Sequence, residues 1–284
     1  MVNPHSGTRL GRSAADMIRY IEDVAQQAGH HARVVTTQGP GHATELVQEA
    51  LPTEPWAGVV AVGGDGTVNE VARALVHTPT PLGILPLGSG NGLARHLGLP
   101  LTLKASLQRV LAGSVSTIDS ARLNEYPFFG LAGMGFDAHV GQLFSQQAQR
   151  GLATYVKVAM EAYWPYQPQT YVVNGKPQPA FSLSFANAGQ FGNNAWVAPQ
   201  ADLSDGLLDV CTVAPFPKLY GTALSYLLFT RQMPLSTYVS YQKVQEIWVE
   251  TEQPPLIHYD GEPVQLATTR VDVRIVPQSL RVIS

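Results

Sequence analysis

The sequence predicts an α/β protein of two domains, an open and mainly parallel α/β half followed by an antiparallel β half. Three observations carry this. Strand and helix patterns alternate up to Val115, as in doubly wound sheets. The turns or strand ends in that half are rich in glycine, serine and asparagine at residues 3–7, 63–67 and 88–92. Beyond Val115 come short β-rich runs, with Asn174-Gly175 and Asp260-Gly261 reading as two-residue hairpin turns.

Taken in order, Asn3-Pro4-His5-Ser6-Gly7 is a turn signal. Residues 13–28 follow with Ala14, Met17, Ile18, Ile21, Val24, Ala25 and Ala28 at helical spacing, closed by Gly29. Residues 31–37 read as a strand and 43–51 as a short helix. Val59 to Val62 is an apolar β-branched run, the composition of a buried strand. It breaks into Gly63-Gly64-Asp65-Gly66-Thr67, and a helix follows with Val68, Val71, Ala72, Leu75 and Val76 on one face. Residues 81–87 are a short buried strand, 93–97 and 102–112 helices. In the second half, strands are expected at 116–123 and 128–132, and helices at 138–148 and 152–162. A hairpin of 169–173 with 180–186 comes next, then strands at 207–214, 244–250, 256–259, 264–266, 270–276 and 281–283. One helix, 218–229, interrupts them. The predicted domains are 1–118 and 119–284, with the last strand a candidate to return to the first domain.

Composition narrows the function. The net charge of −3 lacks the basic excess of a nucleic-acid binder. The longest mostly apolar stretch, residues 220–229, is too short to span a bilayer. No secretory signal is read at the start, and the single cysteine, Cys211, excludes an intrachain disulfide and a thiolate zinc site. A cytoplasmic protein is expected.

Three glycines around Asp65 let backbone amides approach a bulky group, and the helix N-terminus behind them favours an anion. Phosphate is the natural occupant. A carboxylate beside phosphate then asks for an intervening cation such as Mg²⁺, or for a role in deprotonating a hydroxyl. The same residues also suit a plain βα turn with an Asp cap. No Gly-Lys-Ser/Thr follows any glycine loop, so a Walker lysine is absent. Gly130-x-x-Gly133-x-Gly135 has the wrong spacing for a dinucleotide fingerprint.

These motifs together resemble the diacylglycerol kinase and sphingosine kinase catalytic-domain family, the bacterial lipid kinases above all. The resemblance rests on Asn3-Pro4-x-Ser6-Gly7, on Gly63-Gly64-Asp65-Gly66-Thr67-x-Asn69-Glu70 and on Pro86-x-Gly88-Ser89-Gly90-Asn91-x-x-Ala94-Arg95. It continues through Gly133-x-Gly135-Phe136-Asp137, Asn187-x-Gly189, Asp202-x-x-Asp205-Gly206 and Asp260-Gly261-Glu262. It implies a Rossmann-like N-terminal α/β domain with an NAD-kinase-like glycine turn, a C-terminal antiparallel β-sandwich, and an active site in the interdomain cleft. Two features depart from the family. Only Met1-Val2 precede Asn3, where the family has a longer first strand, so either that strand is shortened or the true start lies upstream. Residues 189–194 hold less glycine than expected.

The resemblance implies an ATP- and Mg²⁺-dependent lipid kinase that moves the γ-phosphoryl group to a hydroxyl of diacylglycerol or a sphingoid-like alcohol. Gly63, Gly64, Asp65, Gly66 and Thr67 would wrap the phosphates. Asn3, Ser6, Gly7, Thr37, Asn69, Glu70, Gly88, Ser89 and Asn91 would lie around the nucleotide, with Arg95 a further helper. Asp65 is assigned to the catalytic Mg²⁺ and Glu262 to the general base, with Asp65 its rival. Asp119 and Asp137 are further candidates for the Mg²⁺ water network. Asp202, Asp205 and Leu207 resemble a second, structural Mg²⁺ site; an ordinary Asx turn is the alternative. The expected partners are a lipid substrate and transient contact with the inner membrane face, with a homodimer an open option and no nucleic acid. An NAD kinase is the runner-up, but its Ser-Thr-Pro-Thr-Gly-Ser segment is absent. A catalytically inactive nucleotide-binding regulator is the alternative from another class.

Overall fold

The computed structural model describes residues 1–4, 14–147 and 151–284. Ser6 and Gly7 lie outside the described residues. The chain divides into two units, Met1–Ile118 with Ser279–Ser284, and Asp119–Gln278.

The first unit contains α1 (Ala14–Gln27), α2 (His42–Ala50), β1 (Val59–Gly63), α3 (Asp65–Leu75), β2 (Leu82–Pro86), α4 (Gly92–His96) and α5 (Leu103–Ala112). Its sheet is parallel. Val59↔Leu82 sets the β1–β2 register, and Val282, near the chain's end, pairs with Leu82 on the other side of β2. Val2 bridges in parallel to both Thr36 and Val62. Met1–Asn3 therefore stands in the first-strand position, through the two bridges of Val2. Residues 31–37, expected as a strand, show only the bridge at Thr36. β1 and β2 are buried throughout except Val60, which explains their unbroken apolar runs. Val2, Ile21, Val62, Leu85 and Leu107 form a core against α1 and α5.

The second unit opens on β3 (Val115–Leu123), whose first residues belong to the first unit. β4 (Tyr126–Phe128), β5 (Leu131–Gly135), α6 (Phe136–Ser145) and α7 (Leu152–Tyr163) follow. Next come β6 (Gln169–Val173), β7 (Lys176–Ala180), β8 (Ser182–Ala186), β9 (Leu208–Val213) and α8 (Gly221–Phe229). The chain finishes on β10 (Val239–Val244), β11 (Glu246–Glu250), β12 (Leu256–Tyr259), β13 (Glu262–Gln265) and β14 (Arg270–Ile283). One antiparallel sheet runs β10-β9-β8-β5-β12-β13. A second layer runs β14-β11-β6-β7, with β3 beside β14 and β4 beside β3. Leu183, Phe185, Leu208 and Ile257 from the first layer meet Tyr171, Ile247, Val249, Val271 and Val273 from the second in one buried core, which makes a sandwich.

Both hairpins form as expected. Asn174-Gly175 and Asp260-Gly261 each have two positive φ angles and join residues paired directly, Val173↔Lys176 and Tyr259↔Glu262. The return strand of the first hairpin differs from expectation. It is Lys176–Ala180, with Pro177 and Pro179, while Ser182–Ala186 belongs to the other sheet. β7 pairs only with β6, so it is an edge strand whose outer amides need no ladder partner, and proline is tolerated there. The expected strand 128–132 is broken between β4 and β5.

Candidate functional site

In the first unit the glycine motifs are fastened to one another. β1 ends at Gly63 and α3 begins at Asp65, so the carboxylate leaves the chain at the turn. Asp65 Oδ2 accepts the Asn91 amide at 2.8 Å and Oδ1 the Gly92 amide at 2.7 Å. A carboxylate from one turn therefore caps the short helix α4 that follows the other. Asn91, left-handed at φ 54°, is buried and clamps Gly88, accepting its amide and donating to its carbonyl at 2.9 and 2.7 Å. Arg95 Nε donates to the Gly90 carbonyl at 2.9 Å. Asn3 Nδ2 donates to Thr67 Oγ1 at 3.1 Å, tying in the Asn-Pro turn.

The glycines approach each other as well as leaving room for a ligand. A Cβ on Gly88 would lie 2.5 Å from the α-carbon of Gly64, and one on Gly63 would lie 2.5 Å from Thr67 Oγ1. Gly88→Ala is expected to lower the melting temperature by about 5 °C through overpacking. Differential scanning calorimetry checks this; an unchanged Tm would show that the turns can separate at no cost.

Two expected nucleotide-site residues, Asn69 and Glu70, have scaffold partners. Both Glu70 carboxylate oxygens accept amides at the start of α2, from Gly41 at 2.9 Å and Ala43 at 3.1 Å. Buried Asn69 Oδ1 accepts Arg73 Nη2 at 2.6 Å. Thr37 is buried, with its amide on the Val2 carbonyl at 2.8 Å. Ser89 is exposed.

In the second unit, Asp260 explains the break between β4 and β5. Its carboxylate accepts the amides of Phe129, Gly130 and Leu131 at 2.9, 2.8 and 3.1 Å. Glu262 follows directly, exposed, as the first residue of β13. Asp119, wholly buried, accepts the amides of Gly206 at 2.8 Å and Gln278 at 2.7 Å. That accounts for an aspartate in a strand: it holds two loops, and its carboxylate points to amides. Asp137 lies in the first turn of α6. Its Oδ2 accepts Ser184 Oγ at 3.0 Å and sits 3.2 Å from His258 Nε2. The two partners are nearly buried, at 11% and 5% side-chain exposure. Gly133 makes room for them, since a Cβ there would stand 2.8 Å from Asp137 Oδ2.

The Asp137–His258 pair is not legible in the sequence. His258 has no metal-type spacing to other histidines; the only signal is its position two residues before Asp260. Burial pushes the Cys211 thiol up to about 12, so it is an inert core group.

Asp202 and Asp205 each form an Asx turn. Asp202 Oδ1 accepts the Ser204 amide at 2.9 Å, and Asp205 Oδ1 the Leu207 amide at 3.0 Å. Among the described residues no three histidine, cysteine or acidic side chains are grouped to hold a metal ion. Asp202 Oδ1 and Asp205 Oδ1, which the resemblance assigns to a second Mg²⁺ site, are each engaged by a turn amide in this structure. Asp65 is a hard oxygen donor of the kind a divalent cation takes, directly or through water.

A parallel α/β unit with anchored glycine turns, followed in the chain by an antiparallel sandwich, is the layout that the family matches identify as a kinase of the diacylglycerol kinase class. Residues 1–123 match the diacylglycerol kinase catalytic domain, and residues 130–284 match the YegS C-terminal NAD kinase β-sandwich-like domain. The chain belongs to this family, in the form that carries the YegS C-terminal domain. It is 33% identical over 248 residues to a Chromohalobacter salexigens protein named probable lipid kinase YegS-like, spanning 84% of this chain and 79% of that one. A Pseudomonas aeruginosa protein of the same name is 32% identical over 277 residues, 93% of this chain and 88% of its own. Among solved structures, a diacylglycerol kinase from Bacillus anthracis superposes with a TM-score of 0.75 at 20% identity, covering 99% of this chain and 94% of that one. An NAD kinase from Archaeoglobus fulgidus reaches 0.51 at 13% identity, over 94% and 89% of the two chains. Both likenesses are of fold.

Proposed function

We propose that the protein is an ATP- and Mg²⁺-dependent lipid kinase that transfers the γ-phosphoryl group to a lipid hydroxyl. The observation that carries this is the bonded set of turns in the first unit, with Asp65 joining 63–67 to 88–92 inside a diacylglycerol kinase catalytic domain. Gly63 to Thr67 present the amide-rich start of α3, where phosphate is favoured. Asn3, Ser6, Gly7, Thr37, Gly88, Ser89 and Asn91 surround the nucleotide, while Asn69 and Glu70 brace the turn. Mg²⁺, held through water by Asp65, would neutralise charge on the transferred group. Glu262 takes the proton from the acceptor hydroxyl. The Asp260 anchor fixes where that carboxylate stands, and position precedes pKa for a general base.

The acceptor class follows from relatives named as lipid kinases and from an apolar surface on the second unit. On α7, Leu152, Val156, Met160 and Trp164 recur every fourth residue and are 44, 40, 67 and 63% exposed. α8 buries none of its residues, and Leu219, Tyr226 and Phe229 beside and within it are exposed. Lys218 Nζ joins the start of this segment to the end of α7 through the Tyr163 and Tyr166 carbonyls, at 2.8 and 2.7 Å. Among the described residues no helix is long and apolar enough to cross a membrane. This face would instead rest on the inner membrane surface, where the substrate lies. Met160→Asp with Leu219→Asp is expected to cut co-sedimentation with vesicles at least about tenfold while leaving Tm unchanged.

The reaction is tested by transfer of labelled γ-phosphate from ATP to diacylglycerol, monoacylglycerol, sphingosine and phosphatidylglycerol in mixed micelles, with NAD in parallel. Label in a lipid supports the reading. Label in NAD alone would replace it with an NAD kinase, and ATP binding without transfer to any acceptor would support an inactive regulator.

A further inference from the structure

The acidic turn of the second unit brings two carboxylates, Asp205 and Asp209, together with one lysine. Asp205 Oδ2 accepts the Lys243 ammonium at 2.5 Å. Lys243 on β10 stands directly opposite Asp209 on β9, with Nζ 3.6 Å from Asp209 Oδ2. The Asp209 side chain is 2% exposed, and neither of its oxygens has a hydrogen-bond partner. A carboxylate buried in that state stays ionised only with a cation beside it. Lys243 is the cation within ion-pair distance of Asp209 among the described residues.

We infer that Lys243 is the resident cation of this turn: its ammonium bridges Asp205 and Asp209 and takes the place of a divalent metal ion. A metal ion would need about six oxygens around it. Here Asp202 Oδ1 is turned to Ser204, whose amide and hydroxyl both donate to it, and Asp205 is shared between Leu207 and Lys243. One ammonium with three rotatable donors serves two carboxylates without that shell. The turn is then metal-independent, and any Mg²⁺ requirement of catalysis arises elsewhere in the chain.

The test is thermal unfolding of the full chain without nucleotide, in EDTA and in millimolar MgCl₂ or CaCl₂. The wild-type Tm is expected to agree within about 1 °C across the three conditions. Lys243→Met is expected to lose about 5 °C or more in EDTA, by leaving Asp209 uncompensated. It should recover part of that loss with Mg²⁺ or Ca²⁺, and Asp205→Asn in the Lys243→Met background should remove the recovery. Lys243→Arg, which keeps the charge, should stay insensitive to metal, and it carries the test if Lys243→Met fails to fold. A wild-type Tm that rises with either ion and loses that rise in Asp205→Asn overturns the inference. So does a Lys243→Met protein as stable in EDTA as the wild type, or one that gains nothing from either ion.

Discussion

Asp65→Asn is expected to lower the rate of phosphoryl transfer by about 10³-fold, and to lower Tm by about 5 °C as well. Both effects come from one side chain because the carboxylate has two duties. Structurally it is the acceptor for the Asn91 and Gly92 amides, two charge-assisted hydrogen bonds that lock the two glycine turns together. An asparagine offers one oxygen and must turn an NH₂ toward the other amide, so one donor is left facing a donor. Chemically, the proposed function needs its negative charge to hold the metal ion beside the phosphates. The duties separate in a second variant. Asn91→Ala removes the clamp on Gly88 but leaves the Asp65 carboxylate in place, so it should lower Tm by a similar amount with a loss of rate of only about tenfold. Steady-state kinetics measured well below both Tm values decide the matter. An Asp65→Asn protein that is folded, less stable and still active would leave the carboxylate only its scaffold role.

What the sequence shows and hides at this site follows from the kind of interaction. The β1–Gly–α3 unit is legible because a β-branched run, three glycines and an amphipathic helix are local signals, and the parallel sheet needs them in that order. The two Asx-Gly hairpins are legible for the same reason. The strand expected at 31–37 is only a bridge at Thr36 in the structure, because a strand's extent depends on its pairing, which a local pattern does not record. Lys176-Pro-Gln-Pro-Ala180 escapes a strand reading because prolines argue against a strand unless it lies at an edge, which only the sheet order reveals. β10 escapes it too, because its half-exposed Ser-Tyr-Gln-Lys pattern lacks an apolar run. Motif residues stand out in the sequence but their work does not. Asp119, Asp260 and Glu70 each hold backbone amides of a segment 27 to 159 residues away. No pattern in the sequence records a contact at that separation, and the same holds for the pairing of Asp137 with His258.

Glu262→Gln is expected to reduce the rate of lipid phosphorylation by about 10²- to 10⁴-fold, the usual contribution of a positioned base. The KM for ATP should stay near the wild-type value, because the nucleotide motifs belong to the other unit. Its Tm should stay within about 1 °C of the wild type, because the side chain is exposed and surface changes of this kind cost little. Asp260→Ala makes the contrast. It removes the acceptor for three backbone amides, so it should lower Tm by about 5 °C or more. It should also lower the rate, because the turn that sets Glu262 in place comes loose. The pair distinguishes chemistry from support: one variant loses rate without stability, the other loses both. A Glu262→Gln enzyme within about threefold of the wild-type rate, short of the smallest effect of a positioned base, would move the base elsewhere. The buried Asp137–His258 pair is then the next candidate in this unit, a carboxylate and an imidazole 3.2 Å apart. His258→Asn should in that case inactivate the enzyme where Glu262→Gln did not.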